Sequence, residues 1–105
     1  MSAYCIFDFI EISDYKKMDT YRKKVGPTVK KYEGRYRAIG GEFKVMEGEW
    51  NPIFPVIIEF PTLAQAYKWY DSNEYRELRD LRANASKSNV VFIDGNRKGK
   101  ASNKS

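Results

Sequence analysis

Two carboxylates interrupt apolar runs in this sequence: Asp8 within Cys5-Ile6-Phe7-Asp8-Phe9-Ile10, and Glu59 within Val56-Ile57-Ile58-Glu59-Phe60. Burial in apolar surroundings disfavours the charged carboxylate and raises its pKa, and a second acid nearby pushes the same way. Two acids sharing a partly apolar cavity would therefore titrate apart, which is the raw material of general acid–base catalysis. The competing account makes each a structural acid, satisfied by an arginine such as Arg35, Arg37 or Arg82. Both accounts stay open at this point. The chain has no histidine, which removes Ser-His-Asp and Cys-His nucleophile arrangements, HExxH zinc sites and histidine-ligated haem. Proton transfer would fall to carboxylates, tyrosines or lysines. The single cysteine, Cys5, lies in an apolar strand pattern and reads as a small buried hydrophobe rather than a nucleophile.

Trp50, Trp69, Tyr70 and Tyr75 form a second group of interest, suited to lining a ligand pocket or a seam between subunits, with hydroxyls available as hydrogen-bond partners. Trp69 and Tyr70 are adjacent and cannot share one helical face. The spacing assigns Tyr70 to a core stripe and turns Trp69 toward a neighbour or a rim. Arg79 and Arg82 fall late in the same helical region, where arginine complements the helix dipole; Arg82 is also a candidate anion ligand. No glycine-rich phosphate loop is present, and Gly40-Gly41 alone is a very weak signal.

These residues need elements to hold them. Ala3–Ile12 alternates with Cys5, Phe7 and Phe9 on one face and Tyr4, Ile6, Asp8 and Ile10 on the other, a strand covered on both sides. Ser13 is the expected N-cap of a helix with Asp14 in its first turn. Met18, Tyr21, Val25, Val29 and Tyr32 recur at steps of three or four, marking the buried stripe of that helix. Gly26-Pro27 predicts a kink or break within it, and Gly34 ends it. Arg35–Ile39 reads as a strand, Gly40-Gly41 as a turn or bulge, and Phe43–Met46 as renewed extended structure. Ile53–Phe60 is a strongly apolar strand. Thr62 and Gln65 form a capping box for a helix with Leu63, Ala66, Tyr67 and Tyr70 on its stripe. A second helical segment carries Tyr75, Leu78, Leu81 and Ala85, and Asn89–Ile93 is a short last strand.

The order βαββαβ is the split βαβ, ferredoxin-like arrangement, an α+β class with an antiparallel sheet and helices on one face. The other sheet face, lined by Ile6, Ile10, Ile57 and Ile93, would be an exposed apolar patch, and such patches mark interfaces. A homodimer packed sheet on sheet is the expectation.

Glu59-Phe60-Pro61 followed by Trp69-Tyr70-Asp71-Ser72 and Glu74-Tyr75, that is E-F-P then W-Y-x-S-x-E-Y, resembles the signature of domain-of-unknown-function family 1330. Asp14, Tyr21, Pro27, Gly34, Gly40-Gly41, Glu47-Gly48, Trp50 and Leu81-Arg82 match in the corresponding places, so the resemblance covers about residues 3 to 95. Tyr15 departs from it, standing where a proline often follows the aspartate, and the basic tail is outside it. The resemblance implies a ferredoxin-like protomer and a dimeric α/β barrel. That superfamily includes cofactor-free monooxygenases, isomerases, haem enzymes and ligand-sensing modules, so it leaves the chemistry open.

Composition bounds the rest. A chain of 105 residues with 42% hydrophobic and 15% aromatic content is one folded domain, taken as residues 1–95. Residues 96–105 carry Arg97, Lys98, Lys100 and Lys104 and no acid, which leaves only +1 of the net +5 for the rest of the chain. That segment reads as a disordered basic tail. An anionic polymer could touch it, but the lysine-rich face of the first helix lacks aromatic interleaving for stacking bases, which argues against nucleic acid as a partner. There is no signal peptide and no run long enough to span a membrane, so cytoplasm is the default. The function expected is binding of an unknown small molecule between the sheet and the second helix, without a cofactor or metal. Glu59 and Asp8 would serve as catalytic acids and Trp50, Trp69, Tyr75 and Arg82 would contact the ligand; in the alternative, the protein is a non-catalytic binding or sensing module.

Overall fold

The alternation in Ala3–Ile12 is realised as β1, whose residues Ala3, Cys5 and Phe7 are buried against helices. A computed structural model of the protein describes residues 2–95; the basic segment 96–105 lies outside the described residues. Along the chain follow α1 (Tyr15–Lys31), β2 (Arg35–Ile39), β3 (Pro55–Phe60), α2 (Leu63–Tyr70), α3 (Asn73–Ala85) and β4 (Ser86–Asp94). The antiparallel sheet has the order β2-β3-β1-β4, so the first and third strands are neighbours, as the split βαβ order requires. The fold is α+β and ferredoxin-like, with the helices on one sheet face.

Each helix start has a side-chain cap. Asp14, not Ser13, caps α1 by accepting from the Lys17 amide, and the backbone amides of both Ser13 and Asp14 donate to the Ala85 carbonyl. Thr62 caps α2 by accepting from the Gln65 amide. Only half of the capping box forms, since the Gln65 side chain donates instead to the Tyr32 carbonyl. Ser72 caps α3. The expected break at Pro27 does not occur: α1 runs through it. Proline removes one donor, to the carbonyl of Lys23, and Lys23 is exposed, where water can replace the bond. Gly26 is suited to precede it, since a helical residue before proline is crowded at Cβ and glycine has none.

Phe43–Met46 does not form a strand. Among the described residues β2 is the sheet edge and no strand lies beyond it to pair with this segment, and residues 41–51 are all exposed. β4 is longer than the expected Asn89–Ile93, pairing with β1 from Ala3↔Asp94 to Ile12↔Ser86.

The core lies between the sheet and the helices. Trp69 and Tyr75 are its largest fully buried side chains, with Phe7 and Phe60 against Trp69. Trp69 was expected at a rim and Tyr70 in the core; the structure reverses them, burying Trp69 completely and Tyr70 only partly. Ala66 and Trp69, three apart, are the buried residues of α2, and the indole N–H donates to Thr28 Oγ1 of α1 at 3.0 Å, so the ring's polar edge is satisfied inside.

α1 is tied to α3 at the surface as well. Lys31 and Tyr32 both donate to the Glu74 carboxylate. The hydrogen bond from Lys31, with further donation from backbone and Tyr32, lowers the Glu74 pKa from its ordinary 4.5 to about 2. A depressed folded-state pKa stabilises the fold above the unfolded value and loses that contribution as pH falls through the folded one. The stability difference between wild type and Glu74→Gln should therefore be constant above about pH 5 and vanish on acidification toward pH 2. Urea midpoints across that range check this, and a pH-independent difference would contradict the clasp.

Candidate functional site

α1 leans on α3 rather than lying flat on the sheet, and this tilt opens a cleft of about 750 Å³ beneath it. Met18, Tyr21, Val25 and Gly26 of α1 form its roof. Phe7 and Phe9 of β1, Tyr36 and Ile39 of β2, and Val56 and Ile58 of β3 form its floor. Tyr36 and Ile39 both face inward because the β2–β3 register shifts between Tyr36 and Ala38, a bulge that re-aims a side chain by one position. Phe54 closes one end, its ring edge-on to Phe9 at 6.4 Å. Gly40 has φ +62°, and a Cβ there would strike the Phe54 ring at 2.5 Å, so a glycine at this turn lets Phe54 reach the cleft. Glu11, Tyr15 and Arg22 stand at the exposed margin.

The polar atoms of the interior are tyrosine hydroxyls. Tyr21 lines the cleft, and its hydroxyl lies 2.9 Å from that of Tyr75 behind it. Arg82 Nε donates to the Tyr75 hydroxyl at 3.3 Å, and Arg82 Nη1 donates to Ser88 Oγ at 2.8 Å. The guanidinium also sits 5.4 Å from the centre of the Phe7 ring, a lining residue. Arg82 is only 5% exposed, and no carboxylate pairs with it among the described residues. Burial pushes the Tyr36 hydroxyl up to about 12, and burial followed by the charge of Tyr75 pushes Tyr21 well above its ordinary value. Both are therefore neutral donors near pH 7.

The expected site residues divide. Tyr75 and Arg82 stand directly behind the cleft wall, through Tyr21. Trp69 is interior to the core, and Trp50 is 76% exposed on the β2–β3 connection; neither lines the cleft. The cleft lies under the first helix, where the sequence reading had it against the second, because α2 and α3 pack closely through Trp69, Tyr75 and Leu78 and leave no room there.

Asp8 and Glu59 share the open face of the sheet but do not meet. Asp8 is opposite Pro55 and Glu59 opposite Tyr4, four positions apart, roughly 13 Å along the strands. Neither lines the cleft, which is on the other face. The Asp8 carboxylate accepts from the backbone amides of Ile53 and Phe54; its partners are backbone donors, not an arginine. The acid–base account required a raised pKa at Glu59. Hydrogen bonds from Ser2 and then Arg37 instead hold it below its ordinary value, the mark of a paired surface acid. Cys5 is fully buried, and desolvation pushes its thiol up to about 12, consistent with an inert core residue. Among the described residues no cluster of acids and cysteine could hold a metal ion, and no helix is long and apolar enough to cross a membrane.

Tyr36, Phe54, Glu11 and Arg22 were not picked out from sequence, and Tyr21 only as a stripe residue and a family match, not as a site residue. The signal for Tyr21 was available: a tyrosine on an otherwise aliphatic buried stripe brings a hydroxyl that needs a partner.

Known structures share this fold. A protein of unknown function from Rhodopseudomonas palustris superposes with TM-score 0.70 at 15% identity, over 91% of this chain and 83% of that one. A dimeric protein of unknown function with a ferredoxin-like fold from Bacteroides fragilis gives 0.58 at 16%, over 89% and 95%. An antibiotic biosynthesis monooxygenase gives 0.52 at 18%, over 92% and 100%. At such identities the likeness is one of fold. Among curated proteins no sequence matches. The family model that does match, over residues 2–96, is that of a domain of unknown function, DUF1330, and the chain belongs to that family.

Proposed function

We propose that the protein binds a small, largely apolar organic molecule in the cleft beneath α1. The cleft itself carries the reading: about 750 Å³ is within the usual range for ligand sites, and an apolar lining with a few fixed polar atoms is their usual chemistry. Asp8 and Glu59 are left out of the binding machinery, since one braces the chain at Ile53 and Phe54 and the other pairs at the sheet edge. The functional unit is a homodimer formed through the open sheet faces. In support, Val91 and Ile93 are 55% and 53% exposed there, beside Ile6 and Ile57, and a structural neighbour is dimeric.

A neutral fluorophore that brightens in apolar surroundings, N-phenyl-1-naphthylamine, should bind saturably to the wild type. Val25→Trp would fill the roof and should weaken binding at least about tenfold, the loss of roughly one well-placed apolar contact set. Ile93→Ala, on the opposite face, should leave it unchanged. Equal binding by wild type and Val25→Trp would show that the dye site, and the ligand site inferred from it, is elsewhere.

A further inference from the structure

We infer that Tyr21 is the ligand-contacting hydrogen-bond donor of the cleft, with Tyr75 and Arg82 as its positioning residues, and that the ligand is a phenol or enol bound as its anion. The inference rests on the cleft being the ligand site and specifies what it selects.

Arginine can only donate, so the 3.3 Å contact makes the Tyr75 oxygen an acceptor from Arg82. Tyr75 has one proton of its own, and the nearest oxygen that can take it is that of Tyr21, 2.9 Å away. With that direction Tyr75 accepts once and donates once, Tyr21 accepts once, and the Tyr21 proton is left free for a ligand in the cleft. A hydrogen-bond chain headed by a cation polarises each member in turn, so the terminal hydroxyl becomes a stronger donor than an isolated tyrosine.

The charge decides between a neutral and an anionic ligand. A buried guanidinium without a carboxylate is costly, and its hydroxyl partners and the Phe7 face offset that only in part. Phe7 separates it from the cleft, so its field acts there through low-dielectric material and favours negative charge. The form of the anion follows from the donors. A carboxylate is best met by a two-pronged guanidinium; Arg82 does not itself line the cleft, and Arg22 stands only at its exposed margin, beside Glu11 and already paired with Asp19. One strong hydroxyl donor among aromatic walls instead suits a delocalised oxyanion, which costs less to remove from water than a localised one.

The probes are 4-nitrophenol, which ionises near neutral pH with a change in absorbance, and 4-nitroanisole, its methyl ether, which cannot ionise. Wild type should bind the phenolate about tenfold to a hundredfold more tightly than the ether, the range for a charge-assisted hydrogen bond. The bound nitrophenol should titrate at lower pH than the free compound. Tyr21→Phe should erase the preference while leaving ether binding intact, and ether binding also reports that the variant is folded. Tyr75→Phe keeps the Tyr21 hydroxyl but cuts the link to Arg82; the titration midpoint of bound nitrophenol should then rise back toward the free value. Equal binding of phenolate and ether by wild type would overturn the inference and leave the apolar cleft standing. A preference that survives Tyr21→Phe would overturn the assignment of the donor. Binding of neither compound would remove the cleft reading and this inference together.

Discussion

Trp69→Ala should cost about 3–5 kcal/mol, the range for emptying a buried aromatic site, and lower Tm by on the order of 15 °C or more in a domain this size. Trp50→Ala should change stability by no more than about 0.5 kcal/mol, as exposed substitutions do. The contrast follows from position. Trp69 has no exposed surface and meets Phe7, Phe60, Tyr70 and Tyr75, so alanine leaves a cavity bounded by three elements. It also removes the indole donor to Thr28, a side-chain link from α2 to α1. Trp50 has three-quarters of its surface in water. Thermal unfolding of the two variants beside wild type measures both effects, and comparable losses would mean that Trp50 is docked on something.

The reversal of Trp69 and Tyr70 shows where sequence patterning stops being informative. Alternation in Ala3–Phe7 and Val56–Phe60 was legible because a strand's period of two turns every second residue to the helices; past Phe9 a bulge in β1 breaks it, and Ile10, expected on the open face, lines the cleft instead. Strand order followed from the βαββαβ succession. In α2 the stripe Leu63, Ala66, Tyr67, Tyr70 and the stripe Ala66, Trp69 differ by a rotation of less than one residue, and only the angle at which the helix lands on the sheet chooses between them. In α3 the same ambiguity put Leu81 in the core stripe, while Arg82 is the residue buried there with Tyr75, Leu78 and Ala85. An arginine is a poor guess for a core position, and its burial is intelligible only once Tyr75, Ser88 and Phe7 are seen around it. Likewise, the separation of Asp8 from Glu59 depends on β1–β3 register, which no local pattern encodes. The cleft depends on the tilt of α1 toward α3, a relation between whole elements. What sequence could supply was the inventory: no histidine, abundant tyrosine, and a hydroxyl on the buried stripe of the first helix.

Val91→Lys should convert the homodimer proposed above into monomers, weakening association by about 3 kcal/mol, roughly a hundredfold in Kd. The open face carries a row formed by Ile57, Ile6 and Val91, followed by Glu59, Tyr4 and Ile93, in register across three strands. With helices on the other face, nothing within residues 2–95 covers Val91 and Ile93. A second copy offers a surface of matching chemistry, and a two-fold pairing would bury the row against itself. Val91 is the better position to charge than Ile57. Ile57 is half-buried in the single chain, so a lysine there would disturb the protomer and the dimer together, whereas Val91 is already more than half exposed. A lysine at Val91 leaves the monomer's own packing intact and places an unpaired ammonium in the proposed interface. Sedimentation at micromolar concentration should show a wild-type dimer and a Val91→Lys monomer with unchanged circular dichroism. A wild-type monomer would mean that the apolar row stays in water, and a Val91→Lys dimer would mean that the chains meet through another surface, for which the exposed apolar residues Met46, Trp50 and Ile53 of the β2–β3 connection are the next to test.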